Sequence, residues 1–477
     1  VSRRRSFHLA KRFVLGRQIP LLLVLLCVTL YVSLCSITTP TLAAPVVGWA
    51  ATYGGNKRDE AHYIQQTGDG GYIVAGATGS FGAGEADAWI IKLSPDGTVD
   101  WQKAYGGDRP DAASSIQQTD DGGYIVAGAT KSFGAGDRDI WILRLRPDGT
   151  IEWQNTYGGD KQDAVLSLQL TNDKGYIVAG VTGSLGPDED FDVWILKLSP
   201  DGTVEWQKIY GGPHLDLPFS IQQTRDGGYV VAGTTKSFGA GGLDLWVLKL
   251  KCDGVVEWET TYGGVYSDSA RSIRQTGDGG YIVASRTSSI GAEEVGLGWV
   301  LKLSPDGALE WHTTYGKPGF GCVVNSIEQT GDGGYIAAGG KGYPGAREDV
   351  WVMKLGRLGG VEWQRTYGRE GYEGSATAVR QTGDRGYIVV GYMEPYGTGG
   401  DENRDILVIK LRADGTITPS CDFVRDTTGI LASHINVVTH NSSSDIRDSN
   451  VIPQGSSATV QDTHTSANIL CTSTAGE

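Results

Sequence analysis

The repeating body of this sequence has no stretch with a sustained helical period, and its 71 glycines disfavour long helices. It also lacks an excess of base. The first 43 residues hold Arg3, Arg4, Arg5, Lys11, Arg12 and Arg17 and no acid. With those bases set aside, 35 bases face 55 acids, a balance of −20. Nucleic-acid binding is thereby disfavoured, and cations, basic proteins or uncharged glycans fit better as partners. No histidine pair has H-E-x-x-H spacing, no serine sits in G-x-S-x-G, and no acidic run has EF-hand spacing. A pair of acid/base carboxylates stays open as a route to catalysis. Beyond the leader only Cys252, Cys322, Cys421 and Cys471 remain. In an exported chain such cysteines pair, and Cys421 and Cys471, which bracket the tail, are the candidate disulfide.

What is present begins with the leader. An apolar run, LLLVLLCVTLYVSLCSI, spans Leu21 to Ile37 and is followed by the small residues TTPTLAAP. Basic, apolar and small-residue segments in that order read as an export signal over residues 1–43, cut near Ala43. An uncleaved membrane anchor is the alternative, since the run nearly spans a bilayer. Neither Cys27 nor Cys35 follows a small residue, which argues against a lipoprotein box. The opening Val hints at an alternative start codon and a prokaryotic reading frame.

A fixed period governs the rest. The segment DGGYIVAG and its variants place Tyr72, Tyr124, Tyr176, Tyr229, Tyr281, Tyr335 and Tyr387 between 52 and 54 residues apart. W-x-x-x-Y-G recurs at the same period, from Trp49 to Trp363. One unit reads as four strands: a at Ser115–Thr119, b at Tyr124–Gly128, c at Ile140–Leu145 and d at Thr150–Tyr157. Asp-Asp-Gly-Gly joins a to b, and Pro-Asp-Gly joins c to d; both are tight-turn chemistry. All 13 tryptophans fall on strand c or strand d, with Leu407 in the seventh strand-c place. Their regularity favours packing between units over sugar stacking. Short strands in fours at this period predict an all-β fold, a seven-bladed β-propeller over residues 44–417. Blade seven lacks its strand d, and a spare one lies at Val46–Gly55, so the N-terminal strand is expected to close the ring. The tail, 418–477, is rich in Ser, Thr and Asp and reads as a small disulfide-tied β module or a flexible stalk.

The order of glycine pair, aromatic strand and strand-d tryptophan resembles kelch-type propellers over about residues 46–417. The unit is also similar to repeats in uncharacterised secreted proteins of bacteria and archaea. The resemblance implies the fold and is nearly silent on activity.

Alternating turns put the tight a–b and c–d turns on one face and the long b–c and d–a loops on the other. Loops on a rigid scaffold carry binding, so a site is expected on the long-loop face near the channel. Asp59, Asp111, Asp163, Asp216 and Asp268 recur there, with Glu373 in repeat seven, as do Asp87, Asp139, Asp192, Asp244, Asp349 and Asp405. A Ca²⁺ ring is one reading; carboxylates capping their own loops, with no cofactor, is the favoured one. Gly82-Ala83-Gly84 and its like are followed by no helix, which removes a phosphate-loop reading. Blades five to seven depart from the repeat. Strand a carries Gln65, Gln117, Gln169 and Gln222, then Arg274, Glu328 and Arg380. Tyr266, Phe320, Tyr343, Tyr372, Tyr392 and Tyr396 cluster in the same sector. These residues are the candidate ligand-binding set. The expected function is an exported, non-catalytic surface module for a protein or glycan ligand. A glycan lyase or hydrolase on the same face, and a structural envelope component, are the alternatives.

Overall fold

The computed structural model describes residues 48–417, apart from 187–189, 292–295, 318, 344–346, 369–371 and 396–403, together with short strands between 424 and 472. The expected export segment lies outside the described residues. Every regular element among the described residues is a β-strand. Strands pair in sequence order into seven antiparallel sheets, the blades. In blade one, strand a is Asp59–Gln66, b Tyr72–Thr78, c Asp87–Leu93 and d Val99–Gly106. In blade seven, a is Tyr372–Gln381, b Tyr387–Pro395 and c Asp405–Leu411. Its strand d is Trp49–Tyr53, which pairs antiparallel with 406–410 and so closes the ring.

Strand a runs longer than its sequence shows. In blade two it spans Asp111–Gln118, with a register shift between Ala113 and Ser115. That bulge breaks the two-residue alternation by which a strand is recognised. Strands b and c are buried on both faces, hence their unbroken apolar runs. Tyr72 and Val74 pack toward blade seven, and Ile73 and Ala75 toward blade two. The core is therefore not one centre but seven clusters, one at each blade junction.

The repeat motifs are clasps between blades. Each strand-d tryptophan lies against the strand-b tyrosine of the next blade, as Trp101 on Tyr124 with ring centroids 5.9 Å apart. The strand-d tyrosine reaches the same neighbour: Tyr105 donates its hydroxyl to Gly149 O at 2.6 Å. Strand c adds a buried cation in every blade. Lys92 Nζ sits 2.8 Å from Asp69 Oδ2 in the a–b turn and 3.3 Å from Asp100 Oδ2 on strand d. Lys197, Lys249, Lys302 and Lys354 repeat this arrangement, and Arg144 takes the place in blade two.

The tail was open to a module or a stalk. Its described strands pair along the outer edges of the blades. Val424–Asp426 pairs with strand d of blade six, Leu431–Ser433 with blade five and Val438–Asn441 with blade four. Blades three, two and one follow, and Asn468–Thr472 ends beside Trp49–Tyr53. Each blade thus gains a fifth strand.

Candidate functional site

Strand a is innermost, and its side chains stitch neighbouring blades along the channel. Gln118 N–H donates to Gln65 Oε1 at 2.9 Å, and Leu170 N–H to Gln117 Oε1 at 2.8 Å. Gln223 and Gln275 N–H do the same to Gln169 and Gln222. In blades five and seven the stitching residue is arginine, which has no acceptor. Arg274 Nη1 instead donates to Ser220 Oγ at 3.1 Å and Ile273 O at 2.7 Å. Arg380 Nη1 repeats this with Ser326 Oγ and Val379 O. Glu328 stands between them in blade six, its Oε2 3.9 Å from Arg380 Nε, beyond hydrogen-bond reach. The Arg380 guanidinium lies 4.9 Å over the Tyr63 ring of blade one.

These residues line a cavity of about 320 Å³ with Gln117, Ser167, Gln169, Gln222, Gln275 and Gln329. Its electrostatics are coupled. Burial and the nearby Arg380 pull Arg274 down to about 10. Tyr63 is held below its ordinary value despite burial, because Arg380 and Arg274 favour its phenolate. Sequence reasoning missed Tyr63. The available signal was a lone aromatic where the other blades carry Ser115, Ser167, Ser220, Ser272, Ser326 and Ala378.

The sequence-derived set does not form one patch. Arg274, Glu328 and Arg380 are the penultimate residues of their strands, next to the tight a–b turns rather than the long loops. Tyr372 begins the inner hairpin of blade seven on the long-loop face, and Tyr392 lies within its second strand, opposite Ser375. Tyr266 stands apart on an exposed loop, beside exposed Val265. Phe320 has Lys317 Nζ 5.1 Å over its ring. Only the backbone of Tyr343 is described, opposite Arg347, and Tyr396 lies outside the described residues.

A second group surrounds Tyr392. Arg404 stacks over its ring at 3.8 Å and ion-pairs with Glu394 at 2.8 Å and with Glu60 of blade one at 2.7 Å. Glu373 lies directly opposite Glu394 across strands a and b. Its hydrogen bond to Glu394, helped by burial, raises Glu373 to about 7. Glu394 is held below its ordinary value, despite burial, by Arg404 and by Glu373.

The repeated aspartates hold loops. Asp59 accepts from Gly55 N–H at 2.8 Å, Thr78 Oγ1 at 2.5 Å and Ser80 Oγ at 2.7 Å. Asp111, Asp163, Asp216 and Asp268 accept from the matching glycine and serine. Asp139 and Asp244 accept from loop amides. Among the described residues no group of three or more His, Cys, Asp or Glu is arranged to hold a metal ion. Cys252 is exposed and free, and Cys322 is buried and free. The expected Cys421–Cys471 pair falls outside the described side chains.

A family profile described as "Domain of unknown function (DUF5122) beta-propeller" matches residues 119–152, from the a–b turn of blade two into its strand d. No curated protein matches the chain. Among solved structures, the extracellular domain of a hybrid two-component system from B. thetaiotaomicron is similar at 9% identity and a TM-score of 0.15, over 77% of this chain and 79% of that one. Likeness at that level says nothing about what this chain binds.

Proposed function

We propose that this β-propeller is an extracytoplasmic binding module that takes a glycan or protein ligand at its central channel, anchored by residues of blades five, seven and one. The carrying observation is the loss of the glutamine stitch at Arg274 and Arg380. Two junctions give up a backbone hydrogen bond and gain a part-buried cation, each a cost to stability without a ligand role. The cavity, the arginines and Tyr63 coincide at that place. The leader, with its basic, apolar and small-residue order, supports export. The test is a glycan and cell-surface protein array probed with the wild type and with the triple variant Arg274→Gln, Glu328→Gln and Arg380→Gln. That variant restores the repeat's own residue at each position. Binding is expected only for the wild type. Equal binding by the two would remove the channel from the site.

A carbohydrate-active enzyme is the second reading, and Glu373 with Glu394 favours it. Two carboxyls with pKa values pushed apart are what an acid and a base need. Their shared hydrogen bond sets them closer than the roughly 5 Å of a retaining glycosidase pair. Catalysis would thus require one of them to swing away. Product analysis of oligosaccharides incubated with wild type and Glu373→Gln separates the readings.

A further inference from the structure

The chain as a whole is acidic, yet the channel cavity carries two guanidinium cations against one carboxylate. One positive charge is left over in a confined, largely buried space, where charge interactions are strong. We propose that Arg274 and Arg380 form the carboxylate-binding end of a site for a small polyhydroxylated monoanion, a sugar acid of monosaccharide size.

The proposal rests on the channel being the binding site and adds the chemistry of its ligand. Each arginine is anchored by its Nη1 to a serine and to its own strand's preceding carbonyl. Arg380 also hydrogen-bonds the Tyr63 hydroxyl. The other guanidinium N–H groups of the pair suit a planar acceptor, which a carboxylate matches. Glu328 marks the place where such a carboxylate belongs. Its Oε2 is buried and without a hydrogen bond. It offers the arginines weak competition, at 3.9 Å from Arg380 Nε.

The rest of the wall suits hydroxyl groups. Gln117, Gln169 and Gln222 spend their carbonyl oxygens on backbone N–H groups of the next blade. The Gln117 side chain also hydrogen-bonds Tyr63, while the amide NH₂ groups of Gln169 and Gln222 are donors toward the cavity they line. Tyr63 supplies an aromatic surface at the arginine end. At about 320 Å³ the cavity is at the small end of ligand sites, which run from roughly 300 Å³ upward. The surplus of one charge favours a monoanion over a dianion such as phosphate, which would also repel Glu328.

The test is calorimetric titration of the full chain with D-galacturonate, D-galactose and inorganic phosphate. Galacturonate should bind at least about tenfold more tightly than galactose, the worth of one charge-assisted hydrogen bond. Phosphate should bind more weakly than galacturonate. Arg274→Gln and Arg380→Gln should each weaken galacturonate about tenfold without lowering the melting temperature, because glutamine is the residue of the regular blades. Glu328→Gln should strengthen it. Equal binding of galacturonate and galactose, lost together in Gln117→Ala, would overturn the anion assignment and leave the channel as the site. Phosphate binding as tightly as galacturonate would overturn the monoanion. No heat with any of the three probes would overturn the sugar-acid assignment, while the channel reading stands or falls on the array.

Discussion

At the scale of the residue, the turn glycine of Pro-Asp-Gly explains why W-x-x-x-Y and that turn travel together through the sequence. Gly307 has φ +83°, and a Cβ built on it would lie 2.7 Å from the Trp258 ring of the preceding blade. Its carbonyl accepts the Tyr262 hydroxyl. One glycine therefore meets three demands: a left-handed backbone, a face flat enough for an indole, and an exposed carbonyl. Gly307→Ala should cost about 2–4 kcal/mol, since the strained φ and the overpacking add. Thermal or urea unfolding reads this directly, and a change within experimental error would refute the clasp. The same logic shows which residues were legible in the sequence. Trp258 and Gly307 were, because seven copies announce a structural part. The candidate site was legible only in outline. Arg274, Glu328 and Arg380 stood out as breaks in a run of glutamines, and the channel brings them together. Tyr63 and Arg404 did not stand out. Each is a single departure whose partners, Arg380 and Glu60, lie more than 300 residues away in the chain.

At the scale of the element, strands b, c and d were readable because each obeys one simple rule, apolar on both faces or apolar in alternation. Strand a was cut short because its bulge changes the alternation half-way. Ring closure was readable by counting: six complete units, one lacking its last strand, and one strand left over at the other end. Trp49–Tyr53 fills that vacancy with a five-residue ladder to 406–410, and Tyr53 clasps Gly97 of blade one at 2.6 Å. A chain lacking 46–55 therefore loses both the outer wall of blade seven and the lock between blades seven and one. Trp49 and Tyr53 are buried almost completely, so their removal also opens an apolar junction. The expected outcome is a clear fall in melting temperature with exposed hydrophobic surface, read by calorimetry and dye binding. Melting at the wild-type temperature would mean that the blades hold together without that strand. The tail strands were not legible. VRDTTG, IRDSNV and VQDTHT echo one another, but their strands are three or four residues long and too brief for a periodicity. Laid on strand d of each blade, they cover edges that would otherwise offer unpaired backbone to another chain.

At the scale of the whole molecule, the shifted aspartates of the two faces titrate in opposite senses, while Glu60 and Glu394, which ion-pair with Arg404 on the long-loop face, are held down. On the tight-turn face Asp69 and Asp332 are exposed, and against desolvation Lys92 and Lys354 with the turn threonines Thr67 and Thr330 hold both down to about 2. A depressed carboxyl contributes stability that is present above its unfolded pKa, near 4, and is lost as pH falls toward 2. On the long-loop face burial and the neighbouring Asp59 raise Asp405 to about 6, and Glu373 is raised to about 7. A raised carboxyl binds its proton more tightly in the folded state. Its contribution is complete below the unfolded pKa, near 4, and is lost as pH rises through 6 to 7. The two effects together put maximum stability between about pH 4 and 5. The melting temperature is expected to fall from pH 5 to 7.5 and, more steeply, below pH 3. Glu373 faces Glu394 and Glu348, with Arg404 as the neighbouring cation. Glu373→Gln keeps a hydrogen bond to Glu394 without a second charge, so its curve should be flatter between pH 6 and 7.5 and unchanged below pH 4. A wild-type melting temperature that stays level or rises from pH 5 to 7.5 would show that the carboxyls of the long-loop face do not share protons as their contacts require.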